Sequence, residues 1–435
     1  MKETKFKQTE VGMIPSDWEV KTLGELYKVH NGLSKGKQFF GHGYPFLSFS
    51  VVFNNVFIPN KLENLVDSSK EERASYSINK GDVFITRTSE TVDELGMSCV
   101  ALKDYPNATY NGFCKRLRPN DVEFVNLGYL GFYLRSDFIR EWFLKFSTVT
   151  TRASLKNDEL LSLPLVLPPT IEEQQRIANA LSDVDTLIAN LEKLIAKKKN
   201  IKQGAMQQLL TGRKRLPGFG SDERRKECHS ERSAKREAEK SSGYKMTELG
   251  LIPSDWEVKK LSSVCTIIMG QSPDSKYYNE KEGTPLIQGN ADIENRETFV
   301  RFYTTQITKK GLKGDLILTV RAPVGSVAKA TFDCCLGRGV CALRNANDFL
   351  YQYLIYIEKE WAKRSAGSTF DSIKSDELSA TLVVVPSSKE EQTAIANVLS
   401  DMDTEISALE TKLAKYRTLK TGMMQQLLTG KIRLI

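Results

Sequence analysis

The stretch TEVGMIPSDWEVKTL at residues 9–23 returns as TELGLIPSDWEVKKL at residues 247–261, with 12 of 15 positions identical. A second block also returns, because residues 170–216 match residues 388–434 at 27 of 47 positions. The inserts between these blocks, residues 24–169 and 262–387, share only scattered landmarks. Such an internal repeat predicts two copies of one structural plan that hold two dissimilar inserts.

The second repeated block predicts a long helix in each copy. Its apolar side chains alternate at spacings of four and three residues, which places them on one seam of an α-helix. A hydroxyl with a glutamate three residues later, Thr170 with Glu173 and Ser388 with Glu391, predicts a reciprocal N-terminal cap. A glycine after QQLLT predicts a left-handed C-terminal end at Gly212 and Gly430. The seam residues are Ile177, Leu181, Val184, Ile188, Leu191 and Ile195 in the first helix and Ile395, Leu399, Met402, Ile406, Leu409 and Leu413 in the second.

The charges on these helices favour one mode of pairing. Acidic residues crowd the first half of each helix, and lysine and arginine crowd the second half. We interpret this polarity as antiparallel pairing of the two helices within one chain, although it also suits each helix's own dipole. A parallel homodimer and packing of each seam on its own globular neighbour stay open as alternatives. Gly204 and Gly422 inside the helices predict a bend, close approach of a partner, or a tolerated glycine.

The predicted fold class is α+β, with two mixed α/β domains separated by two long antiparallel coiled-coil helices in a pseudo-twofold repeat. Apolar runs at 83–85 and 316–318 predict buried strands, and 127–144 and 349–364 predict helices. Gly81, Asp82 and Arg87 match Gly314, Asp315 and Arg321, so the inserts are predicted to be divergent copies of one fold. The predicted segments are a first domain at 1–169, a helix at 170–212, a charged linker at 213–246, a second domain at 247–387 and a helix at 388–435.

The composition predicts a folded protein of several domains. Of 435 residues, 40% are apolar and 27% are charged, and Lys plus Arg exceed Asp plus Glu by 62 − 54 = 8. This mild excess favours an anionic partner. Seven cysteines without a CxxC pair or zinc spacing, and the lack of an apolar leader or membrane-length stretch, predict a cytoplasmic location.

Motifs that carry catalysis are missing from the sequence. It contains no GxxxxGK[ST] phosphate loop, no GxSxG elbow and no Asn or Asp followed by two prolines and an aromatic residue. The adjacent Cys228 and His229 are given no role. The acids of PSDWEVK lie too close together for a nuclease cluster, so Trp18 and Trp256 are interpreted as core anchors. The chain is therefore predicted to have no catalytic, cofactor-binding or metal-binding residues.

The order of these features resembles a known family. Two variable regions alternate with helical repeats that contain EEQ, IA and LSDVD or LSDMD, end in QQLLTG, and follow IPSDWEVK. This combination, which spans essentially the whole chain, is similar to the specificity subunit of type I restriction-modification enzymes. The long charged linker departs from that pattern and leaves the spacer length open.

The resemblance implies a role in DNA recognition. Each domain would be a target recognition domain that reads one half of a bipartite double-stranded DNA target. The helices would set the spacing and dock two modification subunits, with or without restriction subunits. S-adenosylmethionine, ATP and magnesium are then expected only on partner subunits. An enzyme acting on nucleic acid and a coiled-coil scaffold without DNA specificity stay open as alternatives.

Loop residues with donor groups are the predicted DNA contacts. Arg addresses guanine with two hydrogen bonds, while Lys mostly engages phosphates. The candidates are Arg87, Thr88, Lys115, Arg116, Arg152 and Lys156 in the first domain and Gln271, Ser272, Arg321, Arg338, Thr369 and Lys374 in the second.

Overall fold

Short strands and two long helices build two units in the computed structural model, which describes residues 5–89, 95–121, 125–146, 148–149, 153–219, 243–365 and 372–435. Unit 1 falls within residues 1–192 and 411–435, and unit 2 within residues 193–410. Each unit therefore contains one insert, the first half of the long helix that follows it and the second half of the other long helix. Most of the predicted linker, residues 220–242, lies outside the described residues.

The first part of the chain forms strands and helices up to the end of the first long helix. Its strands are β1 (Phe6–Thr9), β2 (Gly12–Pro15), β3 (Glu19–Thr22), β4 (Tyr27–Asn31), β5 (Phe40–Leu47), β6 (Leu65–Val66), β7 (Val83–Thr86), β8 (Thr88–Ser89), β9 (Ser98–Val100), β10 (Thr109–Tyr110), β11 (Cys114–Pro119), β12 (Thr148–Val149), β13 (Ala153–Ser154) and β14 (Pro164–Leu167). Its α-helices are α1 (Leu23–Leu26), α2 (Phe49–Asn54), α3 (Lys70–Ser75), α4 (Leu127–Tyr133), α5 (Asp137–Phe146), α6 (Asn157–Leu161) and α7 (Ile171–Leu209), and a 3₁₀ turn covers Lys37–Phe39.

The second part of the chain repeats this order with a longer set of strands. They are β15 (Tyr244–Thr247), β16 (Gly250–Pro253), β17 (Trp256–Lys260), β18 (Thr266–Met269), β19 (Tyr278–Asn279), β20 (Thr284–Ile287), β21 (Ile293–Glu294), β22 (Glu297–Thr298), β23 (Phe302–Thr304), β24 (Lys310–Gly311), β25 (Leu316–Thr319), β26 (Val327–Lys329), β27 (Cys334–Leu336), β28 (Val340–Arg344) and β29 (Leu382–Pro386). The α-helices are α8 (Leu261–Val264), α9 (Asp348–Tyr356), α10 (Glu358–Ser365), α11 (Ser375–Ala380) and α12 (Lys389–Leu427), with 3₁₀ turns at Ser275–Tyr277 and Asn290–Asp292.

The central sheets of the two units share four antiparallel strands in the same order, and β22 is added to the sheet of unit 2 by a parallel pairing with β26. Unit 1 has the order β4-β11-β7-β9, and unit 2 extends the same plan as β18-β28-β25-β26-β22-β21. A second sheet lies alongside in each unit, β10-β5-β6 in unit 1 and β19-β23-β20-β27-β24 in unit 2. The predicted buried strands at 83–85 and 316–318 are confirmed, since β7 and β25 are buried at all four positions.

A shared ion pair confirms that the inserts are related. Asp82 accepts a hydrogen bond from Arg118 Nη2 at 2.6 Å, and Asp315 accepts one from Arg344 Nη2 at 2.9 Å. Both aspartates also close a tight turn at the start of a buried strand, as Asp82 does by accepting from the Asn79 amide at 2.8 Å. The Gly-Asp landmark of the sequence therefore marks one turn and one ion pair in each unit.

The predicted ends of the long helices are confirmed, with one correction. The Thr170 and Ser388 hydroxyls each accept a hydrogen bond at 3.2 Å from the amide three residues on. The glutamates at those third positions do not complete the reciprocal cap, because both carboxylates bind arginines instead. Gly212 and Gly430 have φ +68°, and a Cβ at either would lie 2.4 Å from a proline.

The core of each unit contains both a tryptophan and parts of both helices. Trp18 in unit 1 and Trp256 in unit 2 are fully buried, as expected of core anchors. The first seam residues belong to these cores, since Ile177 packs in the core of unit 1 and Ile395 in that of unit 2. In this part of each helix, the seam therefore packs on its own globular neighbour, which is one of the alternatives that the sequence left open. The C-terminal ends of the helices join the same cores through Leu427 and Leu428 in unit 1 and Met206, Leu209 and Leu210 in unit 2.

Candidate nucleic-acid interface

Five of the predicted DNA contacts in unit 2 lie on one continuous surface edge. The Gln271 amide donates to the Leu336 carbonyl at 2.8 Å, and the Arg338 amide donates to the Ser272 hydroxyl at 3.0 Å. The loop after β18 is thus held against the turn between β27 and β28. Gln271 and Arg338, both exposed, therefore lie on two segments that are hydrogen-bonded to each other.

The same edge continues past the end of β25. The Val320 amide donates to the Gly339 carbonyl at 2.9 Å, which brings Arg321 beside that turn. Arg321 also forms an isolated β-bridge with Ser372, two residues before Lys374. The side chains of Arg321 and Lys374 are exposed. We call this set edge 2: Gln271, Ser272, Arg321, Arg338 and Lys374.

Glycines allow the close backbone contacts of edge 2. A Cβ on Gly270 would lie 2.1 Å from the Gly337 carbonyl oxygen, and one on Gly339 would lie 2.1 Å from the Gln288 oxygen. No side chain fits at that distance, so glycine is required where these strands approach. Edge 2 therefore rests on a fixed backbone.

The equivalent edge of unit 1 carries different side chains. The Arg87 amide donates to the Phe113 carbonyl at 3.0 Å, and Arg87 Nη1 donates to Asn31 Oδ1 at 3.2 Å. Thr88 pairs with Ser154 between β8 and β13, two positions before the exposed Lys156. We call this set edge 1: Asn31, Arg87, Thr88, Phe113 and Lys156. Asn31 and Phe113 were missed by the sequence reasoning, which looked for Arg, Lys and small polar residues in loops; Asn31 ends strand β4 and Phe113 is apolar.

Two sequence candidates lie inside unit 1 and are corrected here. Lys115 is 4% exposed and donates to the Leu155 carbonyl at 2.7 Å and to Asn157 Oδ1. Arg116 is 3% exposed and donates to the Ser77 carbonyl at 2.7 Å. Burial lowers the pKa of both side chains because it disfavours their charged forms. Lys115 Nζ and Arg116 Nη1 donate to groups inside the unit, so both residues support the fold beneath edge 1 rather than face DNA.

The remaining candidates fall outside the region that can be described. Arg152 and Thr369 lie outside the described residues, so their prediction stands as made.

The sequence match of Arg87 with Arg321 was wrong by one position. The hydrogen bond to the turn is made by Arg87 in unit 1 and by Val320 in unit 2, so Arg321 corresponds to Thr88.

An arginine clamp joins the frame of each unit to a long helix. In unit 1, Arg433 Nη2 donates to Glu173 Oε2 at 2.8 Å, and Arg433 Nη1 donates to Asp17 Oδ1 at 3.0 Å. In unit 2, Arg215 binds the equivalent residues Glu391 at 2.6 Å and Asp255 at 2.9 Å. The hydrogen bond to glutamate is the main cause that raises the pKa of each arginine.

Ion pairs also connect the two helices within each unit. In unit 2, Lys202 binds Asp403 and Lys198 binds Glu405, both at 2.6 Å. In unit 1, the equivalent pair Lys420 and Asp185 is 2.6 Å apart, and Arg417 binds Glu192 at 2.6 Å. The twelve predicted seam residues are all buried or half-buried.

Within the described ranges, no group of His, Cys, Asp or Glu is arranged to hold a metal ion. No helix in those ranges is long and apolar enough to cross a membrane.

The fold and the two edges define an internally duplicated α+β protein with two related domains and two long helices. Solved structures share this fold. The S subunit of a type I restriction-modification system from M. genitalium matches with a TM-score of 0.57 at 15% identity, over 98% of each chain. A chain from a study of complex assembly and conformational transition of the type I R-M system matches with a TM-score of 0.58 at 24% identity, over 96% of this chain and 99% of that chain.

Sequence comparison gives the family. The family model for the type I restriction modification DNA specificity domain matches residues 15–203 and 253–415. The putative type I restriction enzyme MjaX specificity subunit of Methanocaldococcus jannaschii is 32% identical over 444 residues, which cover 99% of this chain and 97% of that protein. The chain belongs to the family of type I restriction-modification specificity subunits.

Proposed function

We propose that this chain reads a bipartite double-stranded DNA target, with edge 1 addressing one half and edge 2 the other. The observation that carries the proposal is the repetition of one backbone arrangement with different side chains. Both edges use the same turn-to-strand hydrogen bond, but the residues at equivalent positions differ. The turn has Gly112 and Phe113 in edge 1 where it has Arg338 and Gly339 in edge 2. Thr88 of edge 1 is replaced by the exposed Arg321 in edge 2. Two readers with one scaffold and different surfaces are what a target with two unlike halves requires.

The most direct experiment compares base-resolved DNA methylation in the parent strain and in a strain that lacks this gene. Loss of one split motif, with its two halves at fixed spacing, supports the proposal. An unchanged methylation pattern in a strain whose modification genes are expressed contradicts it. A restored motif after complementation with the intact gene is the control.

The helices are proposed to act as an antiparallel spacer. As residue numbers rise along the first helix, those of their ion-pair partners fall along the second. Lys202 binds Asp403 in unit 2, and Asp185 binds Lys420 in unit 1. A parallel homodimer would join like halves of identical helices and would need no such partners within one chain. The four residues of these pairs are half-buried, and all four belong to the long helices.

A repeated apolar feature on the helices supports docking of two modification subunits. Ile201 in unit 2 and Leu419 in unit 1 occupy equivalent positions and are 47% and 49% exposed. Each lies three residues before a glycine, Gly204 or Gly422, with no protein atom of the described chain within 4 Å of its Cβ position. An exposed aliphatic residue next to bare backbone on a helix suits close packing of a partner helix. Two copies of this feature suit two copies of one partner.

The docking proposal is tested by charge substitution. Ile201→Asp and Leu419→Asp are each expected to remove one modification subunit from the purified complex, and the double variant both. Leu187→Asp, at an exposed position on α7, is the control and should retain both subunits. Native mass spectrometry counts the subunits. Full assembly of the double variant would contradict this docking site.

The chemistry of modification and cleavage is proposed to belong to partner subunits. S-adenosylmethionine, ATP and magnesium would bind there, while this non-catalytic chain supplies the sequence specificity. The described residues contribute polar and cationic edges on rigid domains, and the sequence carries none of the phosphate-loop or methyl-donor motifs sought above. Methyl transfer by the chain alone, without partners, would contradict this division of labour.

A further inference from the structure

Phe113 is held outward at the tip of edge 1. Its side chain is 54% exposed, although phenylalanine is among the residues most often buried. The Phe113 amide donates to Asn111 Oδ1 at 2.7 Å, and its carbonyl accepts from the Arg87 amide at 3.0 Å. The backbone of this tip is therefore fixed on both sides, and the ring is presented to a partner in a defined place.

The neighbouring residue of the same turn, Gly112, carries no side chain and has little room for one. A Cβ on Gly112 would lie 2.2 Å from Ser34 Oγ and 3.0 Å from the Leu33 oxygen. The turn of edge 1 therefore projects residue 113 and nothing from residue 112. The backbone of Phe113 is hydrogen-bonded to that of Arg87, whose guanidinium donates to Asn31.

Edge 2 reverses this choice on the same turn. Gly339 is the equivalent of Phe113, since its carbonyl accepts the matching hydrogen bond from Val320. A Cβ there would lie 2.1 Å from the Gln288 oxygen, so no side chain fits. The preceding residue, Arg338, is exposed instead. One backbone turn thus offers an apolar ring in unit 1 and a cation in unit 2.

The chemistry of the surroundings selects the partner of the ring. Arg87 and Lys156 belong to edge 1 together with Phe113. Their positive charges favour an anionic partner such as DNA over an apolar protein surface. In the major groove of DNA, thymine alone among the four bases presents an apolar group, its 5-methyl. Resting on the proposed function, we infer that Phe113 contacts the 5-methyl group of a thymine in the half-site read by unit 1 and discriminates that base.

The test is a double-substitution cycle on the complete native modification complex. Each thymine of the bipartite target is replaced in turn by deoxyuridine, which removes only the methyl group. One such replacement in the half-site of unit 1 is expected to weaken binding of the wild-type complex about fourfold, the equivalent of about 0.8 kcal/mol for one buried methyl-sized group. The Phe113→Ala complex is expected to bind the thymine duplex and the deoxyuridine duplex with equal affinity, as weakly as the wild-type complex binds the deoxyuridine duplex.

Three comparisons make the result decisive. Phe113→Leu keeps an apolar contact and should retain most of the sensitivity to the methyl group, and Phe113→Ala should unfold at the wild-type temperature because the ring is exposed. Phe113→Ala could instead weaken binding of all duplexes by the same factor while each thymine-to-deoxyuridine replacement keeps its wild-type effect. That result would overturn the inference and favour a role of the ring as a wedge between bases. Full affinity of Phe113→Ala would overturn it as well. Failure of the wild-type complex to bind any split target would instead defeat the proposed function itself.

Discussion

Arg433, which follows the second long helix, donates from Nη2 to the carboxylate of Glu173 near the start of the first long helix at 2.8 Å. The two residues are 260 positions apart in sequence, and Glu173 is 4% exposed. This ion pair ties the end of the second helix to the start of the first within unit 1. Arg215 and Glu391 repeat the tie in unit 2.

The clamp is expected to be important for stability. Arg433→Met leaves the buried carboxylate of Glu173 without its partner, which costs about 3 kcal/mol in the free energy of unfolding. Arg417→Met is the matched control, since its ion pair with Glu192 is exposed on both sides and contributes less than about 1 kcal/mol. Thermal unfolding of the two purified variants measures the difference. Equal midpoints would contradict a stabilising clamp.

Two glycines, Gly430 just after the second long helix and Gly422 inside it, are expected to respond in opposite ways to substitution by alanine. Gly430→Ala forces a Cβ to within 2.4 Å of Pro15 at φ +68° and should lower the free energy of unfolding by about 2 kcal/mol. Gly422→Ala lies in open helix and should raise it by about 0.5–1 kcal/mol. Denaturant titration of the isolated chain gives both values. A stabilising Gly430→Ala would show that the left-handed end is not required.

Lys115 and Lys156 should separate stability from DNA binding. Lys115→Met removes an internal donor to Leu155 and Asn157 and should cost about 1–3 kcal/mol of stability. Lys156→Met alters an exposed residue of edge 1, so it should leave stability unchanged and reduce the slope of log affinity against log salt by about one. Binding measured across a salt series, alongside thermal unfolding, checks both. A loss of stability with Lys156→Met and a changed salt dependence with Lys115→Met would contradict the placement of edge 1.

Arg338 is expected to specify a base in the half-site of unit 2. Arg338→Ala should weaken binding of the native target about 10- to 100-fold and relax selectivity at one position, because a bidentate contact to guanine contributes about 1–3 kcal/mol of discrimination. A library of duplexes randomised in both halves measures the change. Relaxed selectivity in the half-site of unit 1 would contradict the assignment of edges.

The spacer role predicts a change in target geometry. One added heptad after Glu192 and one after Glu410 keep the seam in register and lengthen both helices by about 10 Å, or roughly three base pairs of DNA rise. The methylated motif should keep its two halves and gain about three base pairs between them. An active variant that keeps the original spacing would show that the helices do not set the distance.

The sequence predicted features that depend on neighbouring residues and missed those that depend on distant ones. Thr170 and Gly212 were found because caps and helix ends are local signals. The role of Glu173 was misread, because its partner Arg433 lies 260 residues away and a local cap explained the same pattern. A distant hydrogen-bond partner leaves no periodic trace in the sequence.

The candidate interface shows the same division. Arg321 and Arg338 could be proposed as exposed donors, but their meeting on one edge depends on close contacts made possible by Gly270 and Gly339. Lys115 has the residue type of a DNA contact, yet β11 is buried at both faces over residues 114–117, so this side chain lies inside the unit. Phe113 was missed because the candidates were restricted to Arg, Lys and small polar residues.

The central claim is that each unit reads its own half of the target. Exchange of residues 24–169 for the corresponding insert of another family member tests it most directly, with base-resolved methylation of the host genome as the measurement. We expect one half of the methylated motif to change while the other half and the spacing stay the same. A motif altered in both halves, or an unaltered motif from an active hybrid, would contradict the account.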